Sequence, residues 1–347
     1  MQNNISYLNN QNEWEQRVAS RRNRRHQARI ALFKFIRNLI VAGAIIGGGI
    51  YLLISWVGRV RPEKMMMTID RPLIAEIVAE ITRPLEYGEV AFSMESNYAL
   101  LINLRTGRVL FDHRADVQTY PASVTKIMTV LLGLERSNLS DNVTIDADFN
   151  ALFLSGAMQS GFHQGEVRTM EEVLNAIMLP SGAEATMALA NHIAGSYQGF
   201  IELMNEKAAE LGMNNTNFVT ATGLHDDNHY TTANDIAILL KYALENPHFR
   251  EIFTAPSFEL SRPNALGNVL QSTLFSNAPR TTFEGGEILG GRTGFTIPAG
   301  RCLASLATDG KDEFILITFG APDPTFMNTT AHINDALTIY EYFLRNN

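Results

Sequence analysis

Residues 98–136 read YALLINLRTGRVLFDHRADVQTYPASVTKIMTVLLGLER, and the change of period inside this stretch decides the fold. Two apolar runs, 98–104 and 109–113, are joined by Arg105-Thr106-Gly107-Arg108, which predicts a β-hairpin. Past Pro121 the apolar residues recur at helical spacing, and helical periodicity continues to about Lys241 through MEEVLNAIML, AEATMALANHIAG and FIELMNEKAAELG. Strands return after Ile288 in ILGGRTGFT, RCLASLATDG and KDEFILITFG, with a turn at Asp309-Gly310. A final helical stretch, TAHINDALTIYEYFLRNN, follows. Strand-rich ends around a helical middle predict an α/β (α+β) domain over residues 91–347. Its antiparallel sheet, with flanking helices, is built from both ends of the domain, and an all-helical subdomain is inserted at about 121–284.

Three short segments carry candidate chemistry. In Pro121-Ala122-Ser123-Val124-Thr125-Lys126, the serine sits at a helix start and the lysine one turn on, on the same face. A lysine whose pKa is lowered by burial or by a neighbouring cation supplies a neutral amine that can activate a serine hydroxyl. Taken alone, Ser123 reads first as a plain helix N-cap. The second segment, Leu179-Pro180-Ser181-Gly182-Ala183-Glu184, is a turn between two helices, and capping by Ser181 is its plain reading too. In the third, Gly290-Gly291-Arg292-Thr293-Gly294-Phe295-Thr296, glycines permit close backbone approach to an edge strand and Arg292 supplies a permanent cation.

Taken in order, the three segments resemble the serine penicillin-binding proteins, specifically the low-molecular-mass D-alanyl-D-alanine carboxypeptidases, with their S-x-x-K, S-x-N and K-T-G elements. The resemblance runs from about Ala91 to Phe343 and includes NEKAAELGMNNTNFVTATGLHD, HYTTANDIAILLKYAL and GRTGFTIPAGRCLASL. It implies that Ser123 attacks the penultimate D-Ala carbonyl of a peptidoglycan stem peptide ending D-Ala-D-Ala. Lys126 would take the serine proton, and Ser181 would relay a proton to the leaving amine. It further implies an oxyanion hole from the backbone N–H groups of Ser123 and Phe295. Arg292, Thr293 and Thr296, beside Gly294, would bind the substrate carboxylate. β-Lactams would acylate Ser123. No cofactor or metal is implied.

The chain departs from that pattern twice. Arg292 stands where the family has Lys; the charge is kept, but a guanidinium does not shuttle protons. Ala183 stands where the family has Asn. Losing that amide's one or two hydrogen bonds costs about 1–3 kcal/mol, roughly one to two orders of magnitude in rate. Two rival readings follow: a degenerate, non-catalytic wall-peptide binder, supported by Ala183, and a β-lactamase. For the latter, Glu171-Glu172-Val173-Leu174-Asn175 matches an E-x-x-L-N element, but it precedes the second serine segment instead of following it.

Ahead of this domain the chain is basic. Residues 1–58 hold eight Arg and Lys side chains against two Glu, although the whole chain has a net charge of −8. Leu39 to Val57 is free of charge over 19 residues, long enough at about 28 Å to cross a bilayer core of roughly 30 Å. The sequence therefore predicts a basic cytoplasmic head (1–38), a single-pass anchor (39–58), a spacer (59–90) and an extracytoplasmic domain in a bacterial cell membrane. A cleaved signal peptide and a buried soluble helix are the alternatives for Leu39 to Val57. By the same resemblance, this span would replace the C-terminal tether that many relatives carry. The acidic balance of the chain argues against nucleic-acid binding. One cysteine, Cys302, excludes an internal disulfide and reads as a small core residue. His225-Asp226-Asp227-Asn228-His229 has metal-ligand composition but reads more simply as a hydrophilic loop.

Overall fold

The computed structural model describes residues 92–323 and 330–345. The strands and helices, in chain order, are β1 (Tyr98–Asn103), β2 (Val109–His113), α1 (Lys126–Arg136), β3 (Asn142–Thr144), α2 (Phe149–Ser155), β4 (Val167–Thr169), α3 (Met170–Met178), α4 (Ala183–Ala194) and α5 (Tyr197–Glu210). They continue with α6 (Ala233–Ala243), α7 (Pro247–Thr254), β5 (Ser257–Asn264), β6 (Gly267–Gln271), α8 (Thr273–Asn277), β7 (Thr282–Phe283), β8 (Gly286–Thr296), β9 (Gly300–Thr308), β10 (Glu313–Ala321) and α9 (Ala331–Leu344).

The main sheet runs β2-β1-β10-β9-β8-β7, antiparallel throughout. The expected hairpin forms, and its strand β1 pairs with β10 in the register Leu101↔Leu316, so the two ends of the domain do share one sheet. Because successive side chains alternate faces, the central strands feed two cores. Ala99, Leu101, Leu303, Ala307, Phe314 and Leu316 pack with Ile333, Ala336 and Tyr340 of α9. Leu100, Cys302, Ala304, Leu306, Ile315 and Ile317 face the opposite way, into the core shared with the helices of the insert. Burial on both faces is why these strands read as continuous apolar runs instead of alternating ones.

Within the insert, α1 is buried along nearly its whole length, from Lys126 to Gly133. Gly133 permits its close packing: a Cβ there would stand 2.6 Å from Leu174 and 2.8 Å from Leu189. Helix α3 starts with a capping box in which Thr169 and Glu172 exchange side-chain and backbone hydrogen bonds. Contrary to the expectation from its periodicity, the insert is not all-helical. It contains two two-stranded sheets, β3-β4 and β5-β6. Only Val143 is buried in β3 and only Leu260 in β5, too little apolar content to leave a strand signature.

No helix among the described residues is long and apolar enough to cross a membrane. The expected basic head, anchor and spacer (1–90), including Leu39 to Val57, lie outside the described residues.

Candidate active site

A 3-10 turn, Ala122–Thr125, leads directly into α1, so Ser123 and Lys126 sit one turn apart at a helix start. The turn is tightly braced. Ala122 has φ +46, and Gly223 (φ +79) packs so closely that a Cβ on it would fall 1.9 Å from the Ala122 carbonyl oxygen. Thr125 Oγ1 donates to the Ala122 carbonyl (2.8 Å) and lies 2.8 Å from Nε2 of His229. The other ring nitrogen, Nδ1, accepts from the Val219 N–H (3.1 Å). With its hydroxyl proton committed to Ala122, Thr125 accepts from His229, which places that imidazole's proton on Nε2. Burial lowers the His229 pKa to about 4, so the ring is neutral and structural.

Lys126 is 2% exposed, and Nζ donates to the Thr222 carbonyl at 2.5 Å. Burial, reinforced by the Arg292 guanidinium, holds its pKa well below the ordinary lysine value, while Glu184 acts in the opposite sense. A neutral amine donating to Thr222 keeps a lone pair that can receive a proton.

Ser181 occupies the turn between α3 and α4 with φ +74, a left-handed conformation uncommon outside glycine. Its hydroxyl donates to Ser123 Oγ (3.1 Å) and accepts from Arg292 Nη2. Arg292, on β8, is fully buried and forks onto both serine turns. Nε donates to the Ser123 carbonyl (3.1 Å) and Nη1 to the Met178 carbonyl (2.6 Å). Burial lowers its pKa to about 9, which leaves it cationic at neutral pH. The sequence expectation had this guanidinium hold a substrate carboxylate. Instead, three of its five N–H groups are engaged by Ser123, Met178 and Ser181, because a buried fork of N–H groups must find acceptors within the protein.

The rest of the third segment follows β8 along the Ser123 turn. A Cβ on Gly294 would meet the Ser123 backbone nitrogen at 2.9 Å and the Ala122 Cβ at 3.1 Å, so glycine lets the strand lie against the reactive turn. Thr293 Oγ1 lies 2.7 Å from Thr273 Oγ1 on α8. Phe295 lies under the Arg301 guanidinium, 4.2 Å from its ring centroid, and Thr296 Oγ1 accepts from the Ala299 N–H (3.2 Å). On the side away from β9, β8 pairs with β7 only at Glu287 and Gly286. Among the described residues, no strand pairs with its outer edge over 290–296, where Gly290 packs on Phe253 and Thr254 of α7 and Gly294 on the Ser123 turn.

Ser123, Lys126, Ser181, Arg292 and Gly294 are thus brought together from three separate segments. A family model described as D-alanyl-D-alanine carboxypeptidase matches residues 86–323. The chain belongs to this family. It is 34% identical over 254 residues to D-alanyl-D-alanine carboxypeptidase DacF of Bacillus subtilis, covering 71% of this chain and 63% of that protein. D-alanyl-D-alanine carboxypeptidase DacC of Escherichia coli is 31% identical over 66% of this chain and 57% of its own length. The chain therefore matches less than two thirds of these relatives. Among solved structures, the Streptomyces K15 DD-transpeptidase superposes with a TM-score of 0.63 at 26% identity, covering 72% of this chain and 97% of that one.

The distractors of the sequence fall elsewhere in this family member. Glu171 is exposed, and its carbonyl accepts from the Asn175 side chain within α3, so that stretch is an ordinary helical turn. His225 packs edge-on against Tyr120 at 4.7 Å, whereas both nitrogens of His229 are engaged. Cys302 is buried and its thiol is pushed up to about 12, an inert core residue. Sequence reading missed Thr222, whose carbonyl holds the lysine, and Gly223, which braces the Ser123 turn. The signal was present in Thr222-Gly223-Leu224: a glycine after a polar residue in an irregular stretch.

Proposed function

We propose that this protein is a serine-type DD-carboxypeptidase that removes the terminal D-Ala from peptidoglycan stem peptides ending D-Ala-D-Ala. The observation that carries the reading is the lysine. Lys126 is buried beside a second buried cation, Arg292, and is one helical turn from a serine whose hydroxyl meets Ser181. In this mechanism Ser123 Oγ attacks the penultimate D-Ala carbonyl while Lys126 takes its proton. The developing oxyanion lies between the backbone N–H groups of Ser123 and Phe295, a contribution worth roughly 2.7–4 kcal/mol per donor in other hydrolases. Ser181 passes a proton to the amine of the departing D-Ala, and water then hydrolyses the acyl-enzyme. The substrate lies along the end of β8 not paired by a strand, where Thr293, Phe295 and Thr296 are partly exposed, with Thr293 and Thr296 toward its carboxylate. β-Lactams present a similar carbonyl and acylate Ser123.

The charge-free stretch Leu39 to Val57, with the Arg cluster before it, supports a single membrane anchor that leaves the domain outside the cytoplasm. The activity is tested by mass spectrometry of the protein after penicillin treatment, then by D-Ala release from a peptide ending D-Ala-D-Ala. One penicilloyl adduct on Ser123 and D-Ala release, both abolished by Ser123→Ala, are the expected results. Fractionation of cells expressing the full chain and a form lacking residues 1–58 tests the anchor.

A further inference from the structure

Thr129 lies three residues beyond Lys126 on α1, so the two side chains share one face of the helix. They donate to two successive carbonyls of a single loop: Lys126 Nζ to Thr222 (2.5 Å) and Thr129 Oγ1 to Ala221 (2.8 Å). The chain bends at both loop residues and turns both carbonyls toward α1. A threonine inside a helix ordinarily bonds back to a carbonyl of its own helix. Thr129 instead reaches a loop 92 residues away.

The bend is secured from its other side as well. The Ala221 N–H donates to the hydroxyl of Tyr197 at the start of α5 (2.9 Å), and the Gly223 N–H donates to Thr220 Oγ1 (2.9 Å). Ala221 therefore has both its backbone groups held by side-chain hydroxyls, one from α1 and one from α5. Thr129, Ala221 and Thr222 are all buried, so bulk water does not make up for a hydrogen bond lost there.

A neutral amine turns about its terminal C–N bond, and its lone pair turns with it. A fixed acceptor restricts that rotation, and at this amine the acceptor is the Thr222 carbonyl. Position 183, an alanine, offers no side-chain amide to share the task. Once Lys126 has taken the serine proton, the same carbonyl accepts from an ammonium, a bond roughly twice as strong as its neutral counterpart.

We propose that Thr129, together with Tyr197, is a positioning residue for the acylation of Ser123: the two hydroxyls hold the bend at Ala221 and Thr222, and so set the carbonyl on which Lys126 is oriented as it receives the serine proton. This inference rests on the serine-acylation reading above. It places the effect in the chemical step and not in the capture of penicillin.

The test is saturation kinetics of penicillin acylation by the full-length protein, which separate the limiting rate from the concentration that gives half of it, with thermal melting as a parallel measure of folding. Thr129→Val keeps the shape of the side chain and removes the hydroxyl. It is expected to lower the limiting rate about tenfold and to leave the half-saturating concentration within about twofold. Thr129→Ser returns the hydroxyl without the methyl group. It is expected to recover the rate to within about threefold of wild type although its melting temperature falls. Tyr197→Phe is expected to slow acylation in the same way, and it carries the test if the valine variant does not fold. A folded valine or phenylalanine variant that acylates at the wild-type rate overturns the inference. So does a loss confined to the half-saturating concentration, or one that follows melting temperature across the variants and is not recovered by serine. Each of these leaves the serine-acylation reading intact, whereas wild-type protein that takes up no penicillin overturns both.

Discussion

The Ser181 hydroxyl donates to the Ser123 hydroxyl across 3.1 Å, although the two serines are 58 residues apart in sequence. The contact survives at a cost, since Ser181 holds φ +74, where an L-residue is disfavoured by roughly 1–2 kcal/mol. Arg292 accounts for that strain. Its guanidinium is bonded to the Ser123 carbonyl, the Met178 carbonyl and the Ser181 hydroxyl, and so ties both serine turns to the sheet.

Strain of this kind separates stability from activity. Ser181→Ala and Ser181→Gly both lose the hydroxyl, and each is expected to slow penicillin acylation by about 100-fold or more, as loss of a proton relay does. They differ in backbone. The glycine variant is expected to be about 1 kcal/mol more stable than the alanine variant, because only glycine adopts positive φ freely. Equal denaturation midpoints for the two would show that the turn is not strained.

The fork at Arg292 predicts that lysine is no equivalent here. Arg292→Lys keeps the charge but offers one nitrogen where three separate acceptors are now satisfied. At least one buried acceptor is left without its partner, at about 1–3 kcal/mol of stability. Acylation is expected to fall about tenfold as the Ser181 contact loosens, since 1.4 kcal/mol is a factor of ten. Paired denaturant titrations and acylation rates check this. A lysine variant as stable and as fast as wild type would make the fork incidental.

Much of this arrangement could be read from the sequence. The hairpin at 98–113 and the three closing strands announced themselves because each run is bounded by turn residues, even though burial on both faces removed the alternation. The serines, Lys126 and Arg292 were legible as side chains at characteristic spacings. What stayed hidden works through backbone atoms. The carbonyls of Thr222, Met178 and Ser123 hold Lys126 and Arg292, and any residue would supply a carbonyl. Hairpin β5-β6 escaped for a different reason. With Leu260 and Leu270 its only buried apolar residues, it is held by hydrogen bonds such as those from Arg168 to the Arg262 and Pro263 carbonyls.

Acid sensitivity follows from two buried histidines. Burial lowers His229 from the ordinary 6.5 to about 4 and His332 from 6.5 to about 3. The folded protein therefore binds fewer protons than the unfolded chain between those values, so stability falls as pH drops from about 6.5 toward 3. Neither ring nitrogen of His332 has a hydrogen-bond partner among the described residues. His332→Leu is expected to raise stability by about 1–2 kcal/mol and to flatten the decline of melting temperature between neutral and acid pH. Melting curves at neutral and mildly acid pH decide it, and an unchanged slope would remove His332 from the acid response.

The closeness of β8 to Ser123, the proposed nucleophile, predicts that one methyl group separates folding from function. A Cβ on Gly294 would sit 2.9 Å from the Ser123 nitrogen and 3.2 Å from the Val124 nitrogen, both backbone atoms that cannot rotate away. The strand is held on its other side by β9, with Gly294 opposite Cys302, so the relief must come from a shift of the 3-10 turn. That shift moves the Ser123 N–H, one of the two proposed oxyanion donors. Its displacement costs up to the roughly 2.7–4 kcal/mol that one such donor supplies. Gly294→Ala is therefore expected to fold, with a stability loss of about 1–3 kcal/mol from overpacking. It is expected to acylate about 100-fold more slowly while Lys126 retains its low pKa, so the rate falls at every pH without displacement of the acid limb of the pH–rate profile. A displaced limb would mean that the methyl disturbs Lys126 instead, and an unchanged rate would mean that the strand and the serine turn are not in functional contact.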